Sequence, residues 1–137
     1  MNILQIIEYK DYYHNKNLFF FDPKKLVDLL TYIPYKEVKD ALIEAYLNSN
    51  NFIDTNTNWF TMFIQNNIDL KSEQAIQHHA QRIASLINLL RKNVDIDEIH
   101  IYSNRDGTEI LLENGNHRLR SYLYLSKFIP VSIFFGS

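Results

Sequence analysis

Ile110-Leu111-Leu112-Glu113-Asn114-Gly115-Asn116-His117-Arg118-Leu119-Arg120 carries three local signals in immediate succession. The apolar run within Glu109–Glu113 reads as a strand, Asn114-Gly115 is a turn dipeptide, and a helical pattern follows from about Asn116 to Ser126. Gly115 can adopt a positive φ and lets another group approach the backbone with no Cβ in the way. The helix that starts at Asn116 directs its unpaired N–H groups, and the positive end of its dipole, back at the turn. Such a helix start can receive an anion. His117 and Arg118, in its first turn, add a titratable donor and a permanent planar cation. Cations in that place oppose the helix dipole, a local cost that a bound anion would remove. The plainer alternative is an ordinary Asn-Gly turn followed by a solvated His-Arg pair.

Working outward, Val131–Phe135 reads as a final strand. Upstream, Ile96–Tyr102 alternates in a β-branched context, and Asn104–Gly107 is turn chemistry, so a hairpin with Glu109–Glu113 is expected. Ser72 has the character of an N-cap for the longest helix, running to about Leu90, with Ile76, Ala80, Ile83, Ile87 and Leu90 on one face. Asn48–Asn58 is rich in Asn and Thr and reads as a loop, followed by a short aromatic helix, Trp59–Gln65. Asp22-Pro23 opens a helix that carries Leu26, Val27, Leu29, Leu30 and Ile33 until Pro34, and a second helix is expected over Lys36–Leu47. Ile3, Leu4, Ile6 and Ile7 suggest a short amphipathic helix within Asn2–Tyr13. Leu18–Phe21 fits either a strand or a buried turn. The fold class expected is α/β of the α+β kind: a small mixed sheet with a helix-β-β-α-β order over 71–137, and a helical elaboration over 1–70 packed with it as one unit.

The chain has 137 residues, enough for one ordinary core, and its 46% apolar content includes nine Tyr and nine Phe, which argues against global disorder. It has no Cys, which excludes disulfides, thiolate metal sites and Cys nucleophiles. Fourteen Lys and Arg face sixteen Asp and Glu for a net charge of −2. No basic run exceeds Lys24-Lys25 or Arg91-Lys92, so autonomous nucleic-acid binding is not expected. The Ile3–Ile7 run is too short for a signal peptide and Glu8 follows it. No window approaches the roughly 18 apolar residues of a membrane span. A cytoplasmic protein without a membrane partner is the expectation.

The sequence Ile110–Arg120, a helix, and then Ser126-Lys127-Phe128-Ile129-Pro130-Val131-Ser132-Ile133 resembles the ParB/sulfiredoxin superfamily over residues 76–135. In that family a strand runs into an acidic-Gly-X-His-Arg or Gly-Glu-Arg-Arg turn, then a helix, a short loop and an Ile-Pro-Val strand. Gly115, His117, Arg118, Leu119, Ile129, Pro130 and Val131 match in order and spacing. The resemblance implies a nucleotide (ATP, ADP or CTP, with Mg²⁺) whose phosphates lie at Asn114, Gly115, Asn116, His117 and Arg118. It also implies hydrolysis or phosphoryl transfer to a small molecule or a protein. An Arg ahead of the hairpin reaches the phosphates in the family, and Arg82 is the match by position. Two departures stand out. The family's sulfiredoxins carry a Cys beside the His-Arg pair, which this chain lacks, excluding sulfinic acid reduction. Asn114 replaces the common Asp, which weakens a metal or general-base role there.

Candidate catalytic residues are therefore His117 and Glu113, the carboxylate nearest the turn, which could orient a nucleophile or simply face solvent as a strand-end acid. His78 and His79 are adjacent and cannot easily face one ion, so no metal site is expected. Trp59, Phe60 and Phe63, with Tyr12, Tyr13 and Phe19–Phe21, could be imagined as a base-stacking platform, but aromatics at helical spacing read as core. Two functions remain open. One is nucleotide binding with turnover. The other is a small regulator or inhibitor, of the kind mobile elements carry, that keeps the fold without turnover, a reading that Asn114 favours.

Overall fold

The computed structural model describes residues 2–13 and 16–136. It is a mixed α/β structure with a five-stranded mixed sheet, and the chain groups into two compact units. The first joins Met1–Pro34 to Asp97–Ser137, and the second is Tyr35–Ile96. The grouping differs from a division near residue 70, because both ends of the chain contribute strands to one sheet.

In the first unit, a single 3₁₀ turn (Ile3–Ile6) leads into β1 (Ile7–Tyr13), β2 (Lys16–Phe21) and α1 (Pro23–Leu30). The chain re-enters the unit with β3 (Ile99–Ser103), β4 (Ile110–Asn114), α5 (Asn116–Leu125) and β5 (Ile129–Phe135). The sheet order is β1-β2-β5-β3-β4. β5 runs parallel to β3, with Ile99 beside Val131, and antiparallel to β2, with Phe19 beside Val131. Ile99, Ile101 and Ser103 are buried along β3, while His100 is half-buried and Tyr102 exposed, the period-two alternation of a strand with one covered face. α1 packs on α5, β4 and the 3₁₀ turn, and α5 packs on β3.

The helix expected within Asn2–Tyr13 is corrected to a 3₁₀ turn followed by a strand. The spacing of Ile3, Leu4, Ile6 and Ile7 does mimic a helix. Asn2 does cap a helical turn, its side chain accepting from the Leu4 and Gln5 amides. From Ile7 onward, however, each residue but Glu8 finds a ladder partner between Lys16 and Phe21. That tertiary pairing overrides a weak local preference. The same pairing resolves Leu18–Phe21 as strand, whose unbroken apolar character suits a position between two neighbours.

α1 begins as expected, with Asp22 accepting from the Lys24 amide and Pro23 in the first turn. It ends at Leu30, before Pro34, because Thr31 takes a left-handed conformation and its amide donates to the Val27 carbonyl.

The second unit contains α2 (Asp40–Asn48), α3 (Trp59–Gln65) and α4 (Glu73–Arg91). Ser72 caps α4 by accepting from the Ala75 amide. Ile83, Ile87 and Ala80 are fully buried on α4, with Ile43 of α2 and Phe63 of α3 also at 0% exposure. The 48–58 segment is a loop as expected, but it is pinned to α4. The Ile53 amide donates to Ser85 Oγ at 2.9 Å, Gln81 Nε2 donates to Asn51 Oδ1 at 2.9 Å, and Arg82 donates to the Thr55 and Thr57 carbonyls. A polar stripe on α4 thereby fixes the loop to the helix by hydrogen bonds at four of its residues.

His79 sits among rings: its centroid lies 4.4 Å from Tyr35, 4.9 Å from Trp59 and 5.4 Å from Phe63. Burial, then the charges of His78 and Arg82, draw its pKa down from 6.5 to about 4. Below pH 6.5 the unfolded chain takes up a proton that the folded protein refuses, so stability is full above that pH and falls as pH drops toward 4. The loss across that window, reduced by solvent screening, should be on the order of 2 kcal/mol. Urea unfolding at a series of pH values should show this slope, and His79→Phe should reduce it, leaving the share of His78, whose pKa burial and the Arg82 charge also lower.

Candidate functional site

The β4–α5 join is set by Gly115. Its φ is +111°, and a Cβ there would lie 2.5 Å from Ile99 Cγ2 and 2.9 Å from Ile99 Cβ. The glycine is thus required twice, by a backbone conformation L residues avoid and by the close approach of β3. The first helical bond runs from the Leu119 amide to the Gly115 carbonyl at 2.8 Å. The amides of Asn116, His117 and Arg118 precede it, and the cap residue, being glycine, offers them no side-chain acceptor. The starts of α1, α3 and α4 differ, each capped by the side chain of Asp22, Asn58 or Ser72.

Arg118 reaches back over this turn. One terminal nitrogen donates to the Glu98 carbonyl and the other to Asn114 Oδ1, each at 2.7 Å. The side chain thereby ties the start of β3 to the end of β4, next to the helix entry. Burial lowers the Arg118 pKa, while Asp97, Glu98 and Tyr122 pull it the other way. Glu98 is in turn joined to Lys16 Nζ at 2.7 Å. Burial pushes Glu98 up, but the Lys16 hydrogen bond and charge leave it below the ordinary carboxylate value. Asn116 accepts a hydrogen bond at Oδ1 from the Tyr32 hydroxyl at 2.9 Å, so Tyr32 stands beside the helix start. Burial raises the Tyr32 pKa, keeping the hydroxyl a neutral donor.

The residues singled out in the sequence are distributed as follows. Asn114, Gly115, Asn116 and Arg118 form one neighbourhood at the turn. His117 is adjacent in sequence, but only 7% of it is exposed, and its carbonyl receives the Ser121 hydroxyl at 2.7 Å. Glu113 is exposed on β4, within a bulge where the β3 ladder skips it. Arg82 belongs to the second unit, where it holds the 55–57 backbone. Tyr32, Glu98 and Lys16 were not singled out. They reach the site through contacts across 84 residues for Tyr32 and 20 for the Glu98 carbonyl, separations with no local sequence signature.

The donor set does not fit a protein-held Mg²⁺. Asn114 directs its Oδ1 to Arg118, and among the described residues no group of three or more His, Cys, Asp or Glu is gathered to hold an ion. No helix among the described residues is long and apolar enough to cross a membrane.

No protein-family model, curated protein or solved structure matches this chain.

The turn geometry makes a stability prediction. Gly115→Ala combines left-handed strain with overpacking against Ile99, and should cost about 2–5 kcal/mol. Gly107 also has a positive φ, but its built Cβ meets Ile3 Cγ2 only at 3.3 Å. Gly107→Ala should therefore cost less, about 1–2 kcal/mol. Denaturant melts of the two variants should separate them in that order.

Proposed function

We propose that the chain is a nucleotide-binding domain of the ParB/sulfiredoxin type, holding the phosphates of ATP, ADP or CTP at the Asn114–Arg118 turn. The observation that carries this reading is the α5 start, a positive-φ glycine cap followed by first-turn amides to which it offers no side chain. The positive end of the helix dipole lies at that turn, with the Asn116 and Arg118 amides in its first turn, which is what a phosphate needs. Arg118 supplies a neighbouring positive charge, held in one orientation by Glu98 and Asn114. Its direct bonds are to the protein, so its part in binding is to brace the turn and contribute field. The amides make the contact. Any Mg²⁺ would arrive on the nucleotide phosphates.

A second reading, binding without turnover in a small regulator, is favoured by one observation. His117, the candidate acid or base, is buried, which leaves exposed Glu113 to orient a nucleophile.

The test is an amide-resolved NMR titration with ATP, ADP, CTP and inorganic phosphate, with and without Mg²⁺. The amides of residues 115–118 should shift with at least one nucleotide. Silence at those amides at millimolar nucleotide would end the proposal. Arg118→Gln removes the positive charge beside these amides and should weaken nucleotide binding by about 1.5–3 kcal/mol, with the difference narrowing at high salt. Tyr32→Phe removes the Asn116 side-chain contact without touching either the amides or that charge, and should bind like the parent. Phosphate release then separates the two readings: turnover that falls roughly 10²–10⁴-fold in Glu113→Gln supports catalysis. Tight binding with no release supports the regulator.

A further inference from the structure

β1 is an edge strand. Among the described residues it pairs with β2 alone, and from Glu8 to Tyr13 every residue is exposed. Seven residues with one open backbone edge are a template for another strand. Tyr9, Tyr12 and Tyr13 are 47%, 64% and 45% exposed along it, the residue type most at home in protein interfaces. Tyr9 is already part of a flat aromatic plate, stacked on Phe20 at 4.3 Å and 6°.

Edge strands are normally protected by charges, and β1 has Glu8, Lys10 and Asp11. Their order decides which pairing they prevent. A two-fold axis through Lys10 would set Lys10 against its own copy, and axes through Glu8 or Asp11 would likewise oppose carboxylates. An axis through Tyr9 does the reverse. It places Tyr9 against Tyr9 and Glu8 against Lys10 of the second copy, and symmetry repeats that opposite-charge pair. Glu8 has no residue opposite it in the β2 ladder, since the register skips it at the bulge between Ile7 and Tyr9. Lys25 Nζ holds Glu8 at 3.0 Å, and Lys10 Nζ lies 5.5 Å from the ring centroid of Phe19 on β2, so each charge has an intrachain contact that pairing with a second copy would exchange.

We propose that β1 is a self-association edge, through which two copies of this chain pair antiparallel about a two-fold axis at Tyr9. Among the registers centred on Glu8 to Asp11 the charge order favours this one, since a shift of two residues either way meets like charge. The occupant is a second copy because the Glu-Tyr-Lys order is complementary to itself.

The experiment is sedimentation velocity and light scattering on the full chain from low to high micromolar concentration. The parent should show a concentration-dependent dimer. Glu8→Lys sets an ammonium against Lys10 of the second copy, and Lys10→Glu sets two carboxylates together, so each alone should weaken dimerisation roughly tenfold or more. Mixing the two variants restores both opposite-charge pairs and should return a heterodimer near parental affinity, an outcome a misfolded variant could not give. Lys25→Met removes the intrachain partner of Glu8 and should leave the dimer intact. A parent that stays monomeric throughout, a dimer indifferent to both reversals, or variants that fail to rescue one another would each overturn the proposal.

Discussion

β5 is the strand on which the first unit depends, because both of its neighbours come from elsewhere in the chain. β2 supplies one ladder from the N-terminal end and β3 the other from beyond the second unit's segment. Ile129 and Val131 are fully buried in that central position, and Phe21 and Ile99, which pair with them, are equally buried. Closing a sheet between distant segments costs loop entropy before any contact is gained. The apolar side chains of these strands repay it by leaving water together. Without β5, the β1–β2 hairpin and the β3–β4 hairpin have no strand in common, and isolated hairpins are marginal in water.

The turn at Gly115 inherits its geometry from this arrangement. β3 lies close enough for Ile99 to fill the space a Cβ would need, and the Glu98 carbonyl ends up within reach of Arg118. A half-buried guanidinium must find acceptors, because leaving a charged donor unbonded is costly. Glu98 and Asn114 provide them. Asn114 thereby has a structural use as a neutral acceptor for Arg118. The first-turn amides of α5 remain as the part of the turn that its own cap residue cannot satisfy.

In the second unit the same rule explains a different arrangement. The loop ahead of α3 carries backbone groups that pair with Gln81, Arg82 and Ser85 on α4. Arg82 anchors the loop through the Thr55 and Thr57 carbonyls. Of the aromatics expected as core, Phe63 is buried and Trp59 packs against it and His79, while Phe60, Tyr12 and Tyr13 are exposed.

Much of this was legible from local chemistry. Asp22-Pro23 and Ser72 announce the starts of α1 and α4, because a cap is satisfied within its own turn. The bounds of α3, the β3–β4 hairpin and the entry to α5 were likewise readable from turn residues and period. What misled was Asn2–Tyr13, where helical spacing and strand-forming residues overlap. Only pairing with Lys16–Phe21, and of that strand with β5, decides between them. The candidate site divides along the same line. Its glycine, its asparagines and its His-Arg pair could be picked out by type and spacing. That Arg118 bonds Glu98 and Asn114, that His117 turns inward and that Tyr32 stands over Asn116 could not. The sequence by itself determined the mixed helix-and-strand class and where most elements begin, since those depend on residues within one turn of each other. The tertiary structure alone decided the membership of the sheet and the partners of each polar side chain, since those depend on which distant segments burial brings side by side.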